Sequence, residues 1–503
     1  MKAQLIGKNK KGFATLEILI AFAVIILCIG AVIMVVFGNQ SVTVDSQTNN
    51  EAISKAQALL EQARANSRLD FNLVNPTNTT ETSGSLTYTK TLDVTQADLF
   101  TKKVTATISW QTAGRTLSTI MSTLLTNPQA VGGGDTCSSV VSGRNWTNPQ
   151  MTSYQLGADL LNDPSSDYLI NAIDVYNKKM YIAANVTHGN NANTFFVFDV
   201  STPTNPVFVS QIDNDTSVQS GLNAMRVFGN YAYAANATGS NFSNCTSGIC
   251  GQLQVIDIST NPPKPKLKFK IPGVVGSSGK SIGTSIFYNN GYVYLGLAKV
   301  GAGSTNGEFN IIDVHDPLNP IFKGSYVVGN AVNAIFVKNG YAYIATANNE
   351  NMTILDVSNP SNPVRLGGYT PPGGNNGESV YVVGNTAYLG RTFGSSEFNI
   401  LNTTIPTAVS LLGSKDLPGN TASINGLIVR DYLAFLITGN DFQVWNISNP
   451  TNITQWATPV AFPNQGGGSS PGTATDCEGN YFFVGSLPSG NQKGYLSIIG
   501  PGP

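Results

Sequence analysis

An aspartate or asparagine recurs along this chain from residue 199 onward, at Asp199, Asp257, Asp313, Asp356, Asn402 and Asn446, each ending a short apolar run. Repeated carboxylates suggest acid–base chemistry or metal binding, but the residue types argue otherwise. Asn serves as well as Asp for accepting a hydrogen bond from the backbone N–H two residues on, which opens a turn. Recurrence in every copy also marks a structural part. The two histidines add little. His315 stands where other copies carry a turn serine, and His188 has no second His or Cys near it in sequence. Neither a His-based metal site nor a Ser-His-Asp triad is expected. The stretch DNDTS from Asp213 lacks the spacing of an EF-hand loop, and NQGGGSSPG from Asn464 lacks the lysine of a P-loop. The reading is therefore no catalytic residue, no metal and no cofactor. Carboxylate pairs for glycoside hydrolysis have no fixed spacing in sequence, so a membrane-tethered hydrolase stays as an alternative.

The cysteines are the other reactive group. Cys28 lies in an apolar run and reads as a small hydrophobe. Cys137, Cys245, Cys250 and Cys477 are an even number in a region that reads as exported, which favours disulfides. Cys245 and Cys250, in CTSGIC, could close a small loop and leave Cys137 for Cys477. Metal binding is the rival, without a CxxC or a His cluster to support it. Composition agrees with an extracellular, all-β body. Only 11% of the 503 residues are charged, and Asn, Thr, Ser and 51 glycines supply the polarity. The formal net charge is −1 with no basic stripe, so nucleic acid is not an expected partner.

These residues are carried on repeats. FFVFDVSTPTNPVFVSQI from Phe195, LQVIDISTNPPKPKLKFKI from Leu253, FNIIDVHDPLNPIFKGSY from Phe309 and MTILDVSNPSNPVRLGGY from Met352 share one pattern. Divergent copies start at Phe398 and Phe442. Each is an apolar strand, a turn and a second strand, preceded by a hairpin such as NAIFVKNGYAYIATA with Asn-Gly at its tip. Four strands per unit, at spacings of tens of residues, describe a β-propeller blade. The copies resemble the LVIVD family of repeats, which implies a propeller over 148–503. Six units are complete, and a seventh stops after its third strand. NPQMTSYQL from Asn148 has the form of the missing fourth strand, so seven blades closed by an early strand are expected, six or eight being the alternatives, with Cys137–Cys477 stapling the closure. The loops between second and third strands are long in blades 1, 2 and 3. They offer His188, Asn190, Asn241, Asn244, Ser304 and Asn306 as candidate binding residues for a receptor or glycan.

Ahead of the propeller, Phe13 to Phe37 is apolar except for Glu17, and four lysines precede it. A helix of that length reaches roughly 37 Å, enough to span a bilayer with the amino terminus cytoplasmic. Lys10-Lys11-Gly12-Phe13-Ala14-Thr15-Leu16-Glu17 resembles the processing signature of type IV prepilins and pseudopilins. The resemblance implies a leader over 1–12, cleavage between Gly12 and Phe13 by a prepilin peptidase, N-methylation of Phe13, and a filament-assembly role for Glu17. It implies a membrane precursor that leaves for a cell-surface filament and packs on other pilin subunits through this helix. The helix is expected over 13–69, with its transmembrane or filament-core part at 13–37. Strands starting at Ser85, Lys102 and Gly114 form a small sheet over 70–126, and 127–147 is a linker. The fold class is thus an α+β pilin-like module followed by an all-β propeller. The function it implies is a minor or tip subunit displaying the propeller for adhesion, the alternative being a pseudopilin of a type II secretion or DNA-uptake system.

Overall fold

In a computed structural model the described residues are 13–69, 74–98, 101–112, 114–126, 136–137, 141, 144–188, 193–213, 221–237, 251–275, 282–348, 350–373, 375–392, 394–418, 423–463, 472–486 and 493–503. They fall into two compact units, Met1–Ala97 with Thr101–Thr126 and Asp98–Phe100 with Asn127–Pro503.

The first unit contains one helix, Phe13–Leu69, and a four-stranded antiparallel sheet. Ala52, Ala56, Leu60 and Ala63 recur at helical spacing and are buried against Tyr88, Val104, Ala106, Ile108 and Trp110 of the sheet. The small alanines let the helix lie close to the strands. Toward the other end, Ile20, Phe22, Val24, Ile25, Ile26, Leu27, Ile29 and Val32 are all exposed. Among the described residues no helix is long and apolar enough to cross a membrane. The span expected over 13–37 includes side chains outside the described set, those of residues 13–19, 30 and 33–37.

The sheet has one strand more than its apolar alternation suggests. Thr77–Ser83 pairs with Leu86–Asp98, which neighbours Thr101–Thr112 and then Arg115–Thr126. That first strand, TNTTETS, has no apolar face because it is a solvent-exposed edge. It is tied down electrostatically instead: Glu81 bonds Lys55 of the helix at 2.5 Å and Lys90 of the next strand at 2.7 Å.

The second unit is a ring of seven sheets among the described residues. Blade 1 comprises Asp167–Tyr176, Lys179–His188, Asn193–Asp199 and Val207–Asp213. The innermost strands of blades 2 to 7 are Gly221–Phe228, Gly283–Asn289, Val332–Lys338, Gly377–Val383, Ile424–Arg430 and Gly472–Gly479. Each packs against the next, and the seventh packs against the first, so the ring closes. The third strands are buried on both faces because they lie between blades, and most of their residues are apolar. In Phe309–Asp313, only the terminal Asp escapes burial. The first hairpins turn through residues such as Asn339 and Gly340, both at positive φ, as tight two-residue loops require.

Blade 7 is composite. Gly472–Gly479, Tyr481–Ser486 and Tyr495–Gly502 come from the end of the chain, and Asn145–Gln155 adds antiparallel as the fourth strand. Residues expected to be linker are therefore partly built in. Thr136–Cys137 pairs in parallel with Glu478–Gly479, and Cys137 is disulfide-bonded to Cys477 with Cα atoms 5.1 Å apart. Trp146 is buried between blades 6 and 7, edge-on to Phe435 at 4.7 Å and Phe482 at 5.6 Å. In blade 6 the outer strand is broken into Thr454–Gln455 and Val460–Ala461, both paired with Asp441–Asn446.

Candidate ligand-binding channel

The repeated Asp and Asn residues turn out to be turn-formers. Oδ1 of Asp199, Asp257, Asp313, Asp356, Asn402 and Asn446 accepts the N–H of Ser201, Ser259, His315, Ser358, Thr404 and Ser448, each two residues on. His315 adds a ring contact, Nδ1 to Asp313 Oδ1 at 2.7 Å. Burial pushes the Asp313 carboxyl up, and the His315 bonds more than offset this, holding it below its ordinary value.

Of the loop residues singled out in blades 1–3, Asn190, Asn241 and Asn244 lie outside the described residues, as do Cys245, Cys250 and Gly12. His188 ends a strand, Phe13 begins the helix and Glu17 lies within it; their side chains are outside the described set. Ser304 and Asn306 are committed to their own loop. Ser304 Oγ donates to Gly301 O at 2.8 Å and accepts from Val275 N at 3.0 Å. Asn306 Nδ2 donates to Pro272 O at 2.7 Å, and its Oδ1 accepts from Ser325 Oγ at 2.8 Å. These two residues brace the loop rather than offering free polar atoms.

The concave site is the central channel, a cavity of about 250 Å³ lined by all seven innermost strands. Its geometry follows from a bulge repeated near the start of each inner strand, which leaves one residue unpaired at Asn171, Asn223, Thr284, Asn333, Glu378, Asn425 and Thr473. Because each strand starts on the face carrying the blade-to-blade connections, this polar tier lies at that mouth of the channel. The loops between second and third strands share that face. Three residues further along, roughly 10 Å deeper at strand rise, come Asp174, Arg226, Phe287, Phe336, Tyr381, Ile428 and Asp476.

Most of this polarity joins blades, since inner strands present unpaired edge groups to the channel. Asn223 Nδ2 donates to Gly283 O, Thr284 Oγ1 to Val332 O, Asn333 Nδ2 to Gly377 O and Ser379 Oγ to Ile424 O, at 2.6–2.8 Å. Asp476 accepts Val175 N–H, and Asp174 accepts Val227 N–H. Arg226 Nη1 lies 2.8 Å from Asp174 and 4.0 Å from Asp476. Between blades 6 and 7 the link is Arg430 Nη1 to Gly479 O, with the guanidinium stacked on Phe482 at 4.4 Å. Asn171 and Asn425 make no such link among the described residues, and Asn171 Nδ2 is a buried donor without a partner. Glu378 is largely removed from water, and burial pushes its carboxyl up to about 7. One further grouping, Cys137, Asp476 and Cys477, is tight enough for a metal. Its thiols are joined to each other, and its carboxylate holds a backbone N–H.

Fold and channel together define a seven-bladed propeller with a polar-mouthed, aromatic-sided central cavity. Residues 173–214, 302–328 and 329–370, in blades 1, 3 and 4, match the LVIVD repeat. No curated protein matches the chain. Among solved structures, a periplasmic gluconolactonase of Pseudomonas aeruginosa, PpgL, is similar at 8% identity, covering 60% of this chain and 89% of that one, with a TM-score of 0.43. A functionally unknown protein of Desulfotomaculum acetoxidans is similar at 15% identity, 59% and 87% coverage, and a TM-score of 0.40. Hsv2 of Kluyveromyces lactis gives 10%, 64%, 90% and 0.40. Likenesses this remote say nothing of activity.

The sequence missed this channel because its tier is spread over seven strands as single residues. The repeated bulge residue, Asn in four blades and Thr or Glu in others, was the available signal. Buried Glu308 and Glu397, just ahead of their third strands, were missed too. They are structural: Glu308 accepts the N–H groups of Val300, Val328 and Gly329, and Glu397 those of Gly394 and Leu417.

Proposed function

We propose that this chain is a type IV pilin-like minor or tip subunit that displays a β-propeller on a cell-surface filament for adhesion or glycan binding. The observation that carries the reading is the helix Phe13–Leu69. Its later turns are covered by the sheet, while the described side chains from Ile20 to Val32 are apolar all round and uncovered. An all-round apolar helix belongs in a bilayer or a helical bundle. A subunit that starts in one and moves to the other accounts for both. In this reading prepilin peptidase cuts between Gly12 and Phe13 and methylates Phe13. Glu17 then pairs with the amino terminus of a neighbouring subunit, a buried charge tolerated because it is partnered. Within the propeller, the chain joins blade 7 at the hairpin end of its inner strand, where Cys137 lies beside Gly479. The polar mouth is on the opposite face.

The test is deletion of residues 145–503 together with Glu17→Ala. Filaments that still form without the propeller but no longer bind cells support display. Glu17→Ala should leave membrane insertion and cleavage intact while lowering incorporation into filaments. Normal incorporation would overturn the pairing argument, and undiminished adhesion after the deletion would overturn display. Loss of protein secretion with intact surface filaments would place the subunit in a secretion pseudopilus instead.

The hydrolase alternative draws on three carboxylates at the channel, Asp174, Glu378 and Asp476. Two are committed to backbone N–H groups and flank Arg226, which leaves Glu378 without the second carboxylate that glycoside hydrolysis requires.

A further inference from the structure

We propose that the channel mouth is a binding site for a neutral pyranose ring, the terminal sugar of a glycan, with the amides of Asn171 and Asn425 meeting its hydroxyls and Phe287, Phe336 and Tyr381 taking its apolar face. This deepens the display reading, on which only the source of the sugar rests, and it moves the binding role from the blade 1–3 loops to the channel.

Charge selects the ligand class. The channel's cation, Arg226, is bracketed by Asp174 and Asp476, so no net positive charge is on offer to a phosphate or carboxylate. The acidic groups are equally engaged. Asp174 uses both oxygens, one for Arg226 and one for Val227 N–H, and Asp476 holds Val175 N–H. Glu378 accepts Asn333 Nδ2 at 3.3 Å, and burial disfavours its charged form, which weakens its attraction for a cation. What the mouth does offer is neutral donor–acceptor groups. Asn223 and Asn333 commit an amide N–H to the next blade, and their Oδ1 atoms accept nothing among the described residues. Among the described residues Asn171 Nδ2 is a buried donor without a partner, and Asn425, at the equivalent bulge of blade 6, makes no bond to a neighbouring blade, so both amides are open to a ligand's hydroxyls.

Shape agrees. Phe287, Phe336 and Tyr381 form a continuous aromatic row across blades 3 to 5, with successive centroids 5.2 and 5.1 Å apart. Amides at the mouth and aromatic rings one tier deeper suit a ring that enters with its hydroxyls toward the rim and its C–H face toward the aromatic wall. The cavity of about 250 Å³ is just below the range that holds drug-sized ligands, so it fits one sugar ring and not an extended oligosaccharide.

The experiment titrates the full chain, solubilised in detergent, with the methyl glycosides of glucose, galactose, mannose and N-acetylglucosamine. N-acetylneuraminate and choline serve as charged comparators. Saturable binding of at least one neutral glycoside is expected. The Asn171→Ala/Asn425→Ala variant should weaken it by about tenfold per amide lost, with no fall in the unfolding midpoint. Ser304→Ala/Asn306→Ala should leave affinity unchanged. Binding of only a charged comparator, of no glycoside, or of a glycoside equally well by the channel variant would each overturn the proposal. Cells separate it from the display role. If the propeller is required for adhesion but the channel variant adheres and binds as wild type, the site is wrong and the role stands. If the propeller is dispensable while the purified chain binds a glycoside through Asn171 and Asn425, the role is wrong and the site stands.

Discussion

Glu378 shows how one residue in a repeated position acquires a property its equivalents lack. Where neighbouring blades place Asn or Thr at the inner-strand bulge, this blade places a carboxyl, and burial pushes it up to about 7. A carboxyl whose folded pKa lies above its unfolded value binds its proton more tightly when folded. Its contribution is therefore most favourable below the ordinary carboxylate pKa and is lost as pH rises toward 7. Above that the chain carries a buried, weakly paired charge, a burden on the order of 2–3 kcal/mol at most. Glu378→Gln keeps the shape and removes the titration. The variant should match the wild type near pH 4.5 and exceed it at pH 8, read as the difference in propeller unfolding free energy between the two proteins. A difference that stayed flat with pH would mean that Glu378 is solvated. Asp199, Asp257 and Asp356 titrate in the opposite sense. Hydrogen bonds from Ser201, Ser259 and Ser358 hold their carboxyls below the ordinary value, so the support they give is lost only as pH falls through their lowered pKa values.

At the level of elements, the strand Asn145–Gln155 carries the closure, and Trp146 carries the strand. Its indole fills the gap between blades 6 and 7 against Phe435 and Phe482, with Val141 and Cys477 beside it. Trp146→Ala should cost about 3–5 kcal/mol of propeller stability in denaturant titrations. Trp146→Phe should cost far less, because Nε1 is a buried donor without a partner among the described residues and phenylalanine leaves no such donor behind. Equal losses would show that the hydrogen-bonding group matters and the packing does not. The closing strand was legible in NPQMTSYQL, which copies the register of a fourth strand, and the repeated Asp and Asn turns were legible because their chemistry is local. Thr77–Ser83 was not legible, since an exposed edge strand held by Glu81 has no apolar period to reveal it. The channel was equally hidden. Asn171 and Asn425 are 254 residues apart and share a wall only once the ring has closed.

For the whole propeller, closure is also the weak point, because a ring of antiparallel blades is only as stable as the one seam that is not continuous in sequence. Blades 1 to 6 are each continuous in sequence, whereas blade 7 must recruit a strand more than 300 residues away, across the separation of 340 residues that Cys137–Cys477 bridges. That bond restricts the open, unfolded ring far more than it restricts the closed one, so its contribution is to keep the seam's two halves together when either frays. Replacing the pair by serine should lower propeller stability by about 2–4 kcal/mol, and either single replacement should do the same, since each removes the same bond. Reductant should bring wild type to the level of the double variant and leave the variant where it was. The control matters because Cys245 and Cys250 are also present. A double variant that was itself destabilised by reductant would point to a second disulfide. A wild type that resisted both reductant and substitution would mean that the seam is held by Trp146 and the strand register alone.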